Sequence, residues 1–240
     1  MRGRDLARRV PGYGLASRTY GSIRDHVRRS GPFKRRLVRA HLAEHRPAKL
    51  HIGCQDHPLS GWLNTEYGWG PPKGVLYLDA TEAFPIDSNS FDYVFSEHMI
   101  EHVPVRGALN MLVECHRILK PGGRIRISTP PLEFLLDLLV RPTAEHLRYA
   151  DYHYAEFLSD APLKVPAAIL NDYYRAWGHQ FVYDRHSLED VLQRAGFTQI
   201  EEFPINVSKD DHLCGLENVG RMPEGLLALS TMTFEGVKPT

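Results

Sequence analysis

The stretch KLHIGCQDHPLSGWLNTE, residues 49–66, decides the fold. It reads as a short apolar strand that runs into a turn at Gly53, then a polar loop, a second short strand and an acid, Glu66. Turns of this kind hold nucleotide-type ligands, because glycine lets the backbone come close where a side chain would push the ligand away. Gln55 stands where a second glycine is expected. If that position takes a positive φ, a residue with a Cβ costs about 1–2 kcal/mol there, and its side chain narrows the approach to the ligand. The GxGxxG fingerprint of dinucleotide binding needs three glycines and is absent, which disfavours a nicotinamide enzyme.

Outward from this stretch, strand and helix alternate. Strands are expected at 49–53, 62–66, 75–79, 91–96 and 124–129, each short and rich in β-branched or aromatic residues. A helix is expected from Lys34 to His45, with an apolar face of Leu37, Val38, Ala40, Leu42 and Ala43, stopped by Pro47. A second lies between the last two strands, with Leu109, Leu112, Val113, His116 and Leu119 on one face and Pro121-Gly122-Gly123 at its end. From 132 to 180 the rhythm breaks into a segment holding five of the eleven tyrosines, with Phe134, Phe157 and Trp177. It is too long for a simple connection and reads as a helical insertion over the binding crevice, its aromatics either a substrate wall or lid packing. The alternation resumes with Leu188, Val191, Leu192 and Ala195 on a helix capped by Asp184 and ended by Gly196. Two last segments, FTQIEEFPINV and LLALSTMTFEGVK, are expected to pair antiparallel. The fold class is therefore α/β, a doubly wound sheet of seven mostly parallel strands with a helical insertion after strand 5. Residues 1–33 form a basic, loosely ordered extension, and 34–240 the domain, with 132–180 as its lid.

The 240 residues are 42% hydrophobic and 24% charged, ordinary for a soluble globular protein able to bury a core. No apolar run is long enough to span a membrane and the N-terminus lacks a secretory signal, so a cytoplasmic location is expected. Cys54, Cys115 and Cys214 form no CxxC pair and read as free thiols. A net charge of zero hides an asymmetry: residues 1–48 carry 13 Lys/Arg against 3 Asp/Glu, the rest 16 against 26. The basic head suits weak contact with an anionic surface, whereas its few aromatics argue against nucleic acid as a partner.

The order of pieces is more specific than any one of them: a glycine turn, Glu66 ending the second strand, Asp79 ending the third, then PIDSNSFDYVFSEHMIEHV, ECHRILKPGG and RAWGHQF. In these stretches, over about residues 49–200, the chain resembles the class I S-adenosylmethionine-dependent methyltransferases, in particular a bacterial branch. The resemblance implies S-adenosylmethionine as cofactor. It implies that Glu66 takes both ribose hydroxyls, that Asp79 takes the adenine amino group beside Ala80, and that Gly53 and Cys54 pass close to the methionine part. His51, Gln55, Ser96 and Glu97 complete the expected cofactor contacts, with the Gln55 amide able to bond the cofactor carboxylate. For a methyl acceptor it implies a small molecule or a glycan-type compound, methylated at oxygen.

Displacement at a sulfonium methyl is in-line, so the protein aligns the nucleophile and removes a hydroxyl proton. His98, directly after the fourth strand, and His179, after the insertion, are the candidate bases. His98 and His102, with Glu97 and Glu101, imitate an i,i+4 metal pair, but the HExxH order and a recognisable third ligand are missing, so no metal is expected. Arg126 interrupts a strand expected to be buried on both faces; it either pairs with a buried acid or reaches the crevice. The alternative function is a non-catalytic scaffold whose cofactor site is degenerate at Gln55. The oligomeric state is left open.

Overall fold

The structure, a computed structural model, describes residues 29–68 and 74–240. Helix α1 is Gly31–Glu44, followed by strands β1 (Lys49–Ile52), β2 (Leu63–Glu66), β3 (Leu76–Tyr77) and β4 (Phe91–Glu97). A 3₁₀ turn, Ile100–His102, leads into α2 (Val105–Ile118) and β5 (Leu119–Thr129). The insertion follows as α3 (Leu132–Val140), α4 (Ala144–Glu156) and α5 (Pro166–Arg175), and the chain closes with α6 (Arg185–Arg194), β6 (Thr198–Phe203), α7 (Leu226–Leu229) and β7 (Met232–Val237). The loosely ordered extension expected over 1–33 lies almost wholly outside the described residues.

The seven strands form one sheet in the order β3-β2-β1-β4-β5-β7-β6. β7 alone runs antiparallel to its neighbours; the other pairings are parallel. Strand order reverses between β1 and β4, and the crevice at the carboxyl ends of such a switch point is where open α/β sheets bind ligands.

The two faces of the sheet differ in chemistry. One carries Leu63, Leu50, Val94 and Ile125 in register, then Thr65, Ile52, Ser96, Ile127 and Phe234. This apolar face packs against Val38 of α1, Met111, Leu112 and Ile118 of α2, and Leu188 and Leu192 of α6. The other face carries Asn64, His51, Phe95, Arg126 and Glu235 in one row. It is covered by the loops 53–62 and 204–221, which contribute Trp62, Leu213 and Leu216 around Phe95.

Loop cover explains Arg126, a charge within a strand buried on both faces. Its side chain is fully buried, and all five N–H donors find acceptors. Nε and Nη2 bond Glu217 at 2.7 and 3.0 Å, Nη1 bonds Glu235 at 2.6 Å, and the carbonyls of Val207 and Pro204 take the rest. Of the two readings left open, pairing with buried acids is the one observed. Glu217 also accepts from the Ser128 hydroxyl and the Asn206 amide, which seats the loop on the sheet.

Three expectations are corrected. The buried stripe of α2 is Ala108, Met111, Leu112, Cys115 and Ile118, one position earlier than the expected face, and Val113 is 46% exposed. The small residues Ala108 and Cys115 complete a better 3.6-residue stripe, leaving His116 on the flank with its ring edge-on to Phe197 at 5.2 Å. On α1, Ala40 and Ala43 face solvent while His41 is buried in their stead, stacked toward Phe91. The helix α2 ends at Ile118, before the Pro-Gly-Gly turn, which instead lies within β5 where the register with β4 shifts. Gly196 does end α6, at φ +101°.

The insertion has a core of its own, in which Phe134, Leu135, Tyr149, Tyr154, Ile169 and Tyr173 are buried together. Tyr149 and Tyr173 share a hydroxyl–hydroxyl bond and Tyr154 bonds the Val165 carbonyl, so these tyrosines pack the insertion's own core. Tyr174 is about half exposed.

Removing one member of a buried ion pair typically costs about 3–5 kcal/mol, because the partners stay buried without compensation. Arg126→Met is therefore expected to lower unfolding free energy by that order in urea denaturation. A loss under about 1 kcal/mol would contradict the role of Arg126 as the anchor of the 204–221 loop.

Candidate active site

At the carboxyl end of β1 the chain turns at Gly53, φ +73°, and a Cβ built there would lie 2.6 Å from Cγ of Met99. The loop after β4 therefore packs directly on the glycine turn, and the two halves of the crevice meet. Gln55 takes φ +44°, the left-handed conformation that its position raised as a question. Its amide donates to Oε2 of Glu66 at 2.7 Å, and the Tyr67 amide donates to Oε1 at 2.8 Å. The strained residue and the acid thus hold each other at the tips of β1 and β2. Burial raises the Glu66 pKa, partly offset by these two amide bonds. Cys54 is buried beside them, its thiol pushed up to about 11 by burial and then by Glu66.

Asp79 follows β3, and its Oδ1 accepts from both the amide and the hydroxyl of Thr81, shaping the turn around buried Ala80. His51 is buried behind the turn: its ring lies 5.0 Å from that of Phe95 and its Nδ1 pairs with Oδ1 of Asn64 at 3.1 Å. Asn64 in turn bonds the backbone of Leu59 and Trp62, so His51 supports the loop from below the sheet's edge. Ser96 lies on the opposite, apolar face, its buried hydroxyl without a partner among the described residues. Glu97 turns to the 204–221 loop, accepting from the Asn218 amide at 3.2 Å and lying 3.3 Å from Arg221.

Past β4 stands a histidine cluster around a fully buried carboxylate, Glu101. Thr129 at the end of β5 donates to Oε2 of Glu101 at 3.0 Å. Oε1 lies 3.3 Å from Nδ1 of His98, close enough for charge but off hydrogen-bond alignment. His98 takes φ +47°, and its Nε2 contacts the Thr231 hydroxyl at 2.9 Å. The insertion returns to the same place: the amides of Gln180 and Phe181 donate to the Glu101 carbonyl, and the His179 ring stands edge-on to that of His102 at 4.8 Å. Burial works against the charge on Glu101, yet the contact with His98 and the facing His98, His102 and His179 rings hold its pKa down to about 2. Burial lowers the pKa of His179, whose Nδ1–H donates to the Tyr173 carbonyl at 2.7 Å. The structure thus brings both expected bases, His98 and His179, to one site. Sequence reasoning set Glu101 beside the His98–His102 pair only as part of a metal-like pattern and gave it no role, because no local pattern reveals its burial.

Residues 64–127 match the family model of a methyltransferase domain, which implies S-adenosylmethionine as the cofactor. A demethylmenaquinone methyltransferase of Oceanobacillus iheyensis is 29% identical over 121 residues, 49% of this chain and 45% of that protein. A ubiquinone biosynthesis O-methyltransferase of Xanthomonas oryzae pv. oryzae is 36% identical over 80 residues, 32% of this chain and 33% of that protein. The chain thus spans less than half the length of these curated relatives. Among solved structures, an S-adenosylmethionine-dependent methyltransferase from Archaeoglobus fulgidus aligns over 89% of this chain and 97% of its own at 15% identity and a TM-score of 0.49, a likeness too distant to bear on activity. The residues present fit the cofactor: the glycine turn is covered only by the flexible Met99 side chain, and the Glu66 carboxylate sits at the tip of β2. No helix among the described residues is long and apolar enough to cross a membrane.

The burial of His51 has a measurable consequence. Its folded pKa is lowered to about 4 from 6.5, chiefly by burial. The unfolded chain then binds a proton that the folded one refuses, so stability is fully present above about 6.5 and falls as pH drops toward about 4. The full effect is on the order of 3 kcal/mol. Urea denaturation at pH 4.5 and 7 is expected to show a smaller pH-dependent loss in His51→Gln than in the parent protein; equal losses would contradict the assignment.

Proposed function

We propose that this protein transfers the methyl group of S-adenosylmethionine to a hydroxyl of a small-molecule acceptor. The observation that carries this reading is the meeting, at one switch point, of a glycine turn tied to Glu66 and a histidine paired with a buried carboxylate. Glu66 would hold the ribose hydroxyls, each of its oxygens keeping a lone pair beyond the amide it already accepts. Asp79 and Ala80 would border the adenine, and Gly53, Cys54 and Gln55 the methionine part. The cofactor supplies an electrophilic methyl on a sulfonium.

His98 is the base in this reading. Glu101, 3.3 Å from Nδ1, would favour the proton on that nitrogen, so Nε2 would offer its lone pair at the position the Thr231 hydroxyl now occupies. An acceptor hydroxyl replacing Thr231 gives its proton to Nε2 while its oxygen attacks the methyl carbon. The carbon–oxygen bond forms as the carbon–sulfur bond breaks, leaving S-adenosylhomocysteine and a protonated imidazole beside Glu101. Left-handed strain at His98 is the kind that functional sites store. The relatives' names point to quinone-related small molecules and, for one of them, to oxygen; nothing in those names supports the glycan-type acceptor of the sequence reading. The Gln55 amide bonded to Glu66 favours a working site over a degenerate one.

Calorimetric titration with S-adenosylmethionine is the test. Micromolar binding is expected, weakened at least about 100-fold in Glu66→Ala, since two hydrogen bonds to a charged group are lost. His98→Ala is expected to keep the cofactor affinity and to lower kcat by about 10²–10⁴. Cofactor binding indifferent to Glu66→Ala, or absent at millimolar concentration, would sink the proposal.

A further inference from the structure

His102 and His179 are not used by the transfer step, yet they stand beside Glu101 with their donor atoms close together. One oxygen of Glu101 and one ring nitrogen from each histidine lie within 4.8 Å of one another. The third ligand that the sequence pattern lacked is His179, brought in by the return of the insertion. We propose that Glu101, His102 and His179 bind a divalent transition-metal cation of the class that prefers mixed nitrogen and oxygen ligands, such as Zn²⁺.

Three observations support the site independently of the donor spacing. Oε1 of Glu101 is buried, and the one donor near it, Nδ1 of His98 at 3.3 Å, is off hydrogen-bond alignment, which leaves an under-satisfied acceptor of the sort a cation would satisfy. The Nδ1–H of His179 is held by the Tyr173 carbonyl, which leaves Nε2 with the lone pair; metal-bound histidines are oriented in this way by a carbonyl on the far nitrogen. The amides of Gln180 and Phe181 on the Glu101 carbonyl lock the two ligand-bearing segments together. Bond lengths of about 2.0–2.2 Å place tetrahedral ligand atoms roughly 3.3 Å apart, so the three donors need close by an ångström or so, within reach of side-chain rotation.

Two histidines and a carboxylate leave coordination positions open, as in catalytic rather than structural sites. An acceptor hydroxyl at an open position would be acidified by the cation before passing its proton to His98. This last role rests on the methyltransferase reading; the binding of metal does not.

The test uses tag-free full-length protein stripped with a chelator and titrated with Zn²⁺ by calorimetry and with Co²⁺ by visible absorption. One equivalent is expected to bind, with Co²⁺ d–d bands typical of four- or five-coordination and with Mg²⁺ failing to compete. Because the chain has 13 histidines, variants decide the location. His102→Ala and His179→Ala are each expected to weaken Zn²⁺ binding about 100-fold and to abolish the Co²⁺ bands. His102 is part-buried and its ring makes no hydrogen bond among the described residues, so His102→Ala is expected to fold even where Glu101→Gln does not. No stoichiometric binding, or binding unchanged in both histidine variants, would overturn the proposal. S-adenosylmethionine titrated into the metal-free protein separates the two claims. Cofactor binding without metal binding refutes only the cation site, and metal binding without cofactor binding refutes only the methyltransferase reading.

Discussion

The buried carboxylate of Glu101 is the constraint on which the active end of this molecule depends. An ionised acid taken out of water costs several kcal/mol unless its surroundings replace the lost hydration. Here the replacement comes from four residues: Thr129 at the end of β5, His98 and His102 on either side of Glu101 in the segment after β4, and His179 at the end of the insertion. Its backbone carbonyl takes two more amides from the insertion. The insertion is therefore fastened to the sheet at the charge itself, and whatever holds Glu101 ionised also holds the histidines in place.

A second buried charge does the corresponding work on the opposite face. Loops 53–62 and 204–221, rather than α-helices, pack on that face, which would otherwise expose a row of polar side chains. Arg126 draws the 204–221 loop across it, and through Asn218 and Arg221 the same loop reaches Glu97 at the end of β4. One face is thus organised by apolar packing on three helices and the other by an ion cluster with every guanidinium donor used. Both arrangements converge on the carboxyl ends of β1 and β4, where the glycine turn and Met99 touch.

Much of this was legible in the residues alone. Short β-rich segments separated by helical stripes and glycine turns define an alternating sheet, and the acids ending β2 and β3 are local features of single strands. The conformation of Gln55 was legible as a question, because a residue in a glycine's place either breaks the turn or accepts strain, and it accepts strain. The partners of Arg126 were not legible: Glu217 and Glu235 lie 91 and 109 residues away, on a loop and a strand that no periodicity connects to β5. His179 meets Glu101 for the same kind of reason, across an insertion whose own core decides where its end returns. The misplaced stripe of α2 has a different cause, since Ala108 and Cys115 pack as core residues while carrying little weight in a hydrophobic pattern.

The central claim is that the crevice between the Gly53 turn and Met99 is a cofactor site opening onto the His98–Glu101 pair. A crystal structure with S-adenosylhomocysteine tests it most directly. The account predicts the ribose on Glu66, the adenine beside Asp79 and Ala80, and the sulfur facing His98, with Met99 swung off Gly53. Cofactor bound elsewhere, or a crevice still closed by Met99 at saturating ligand, would contradict it.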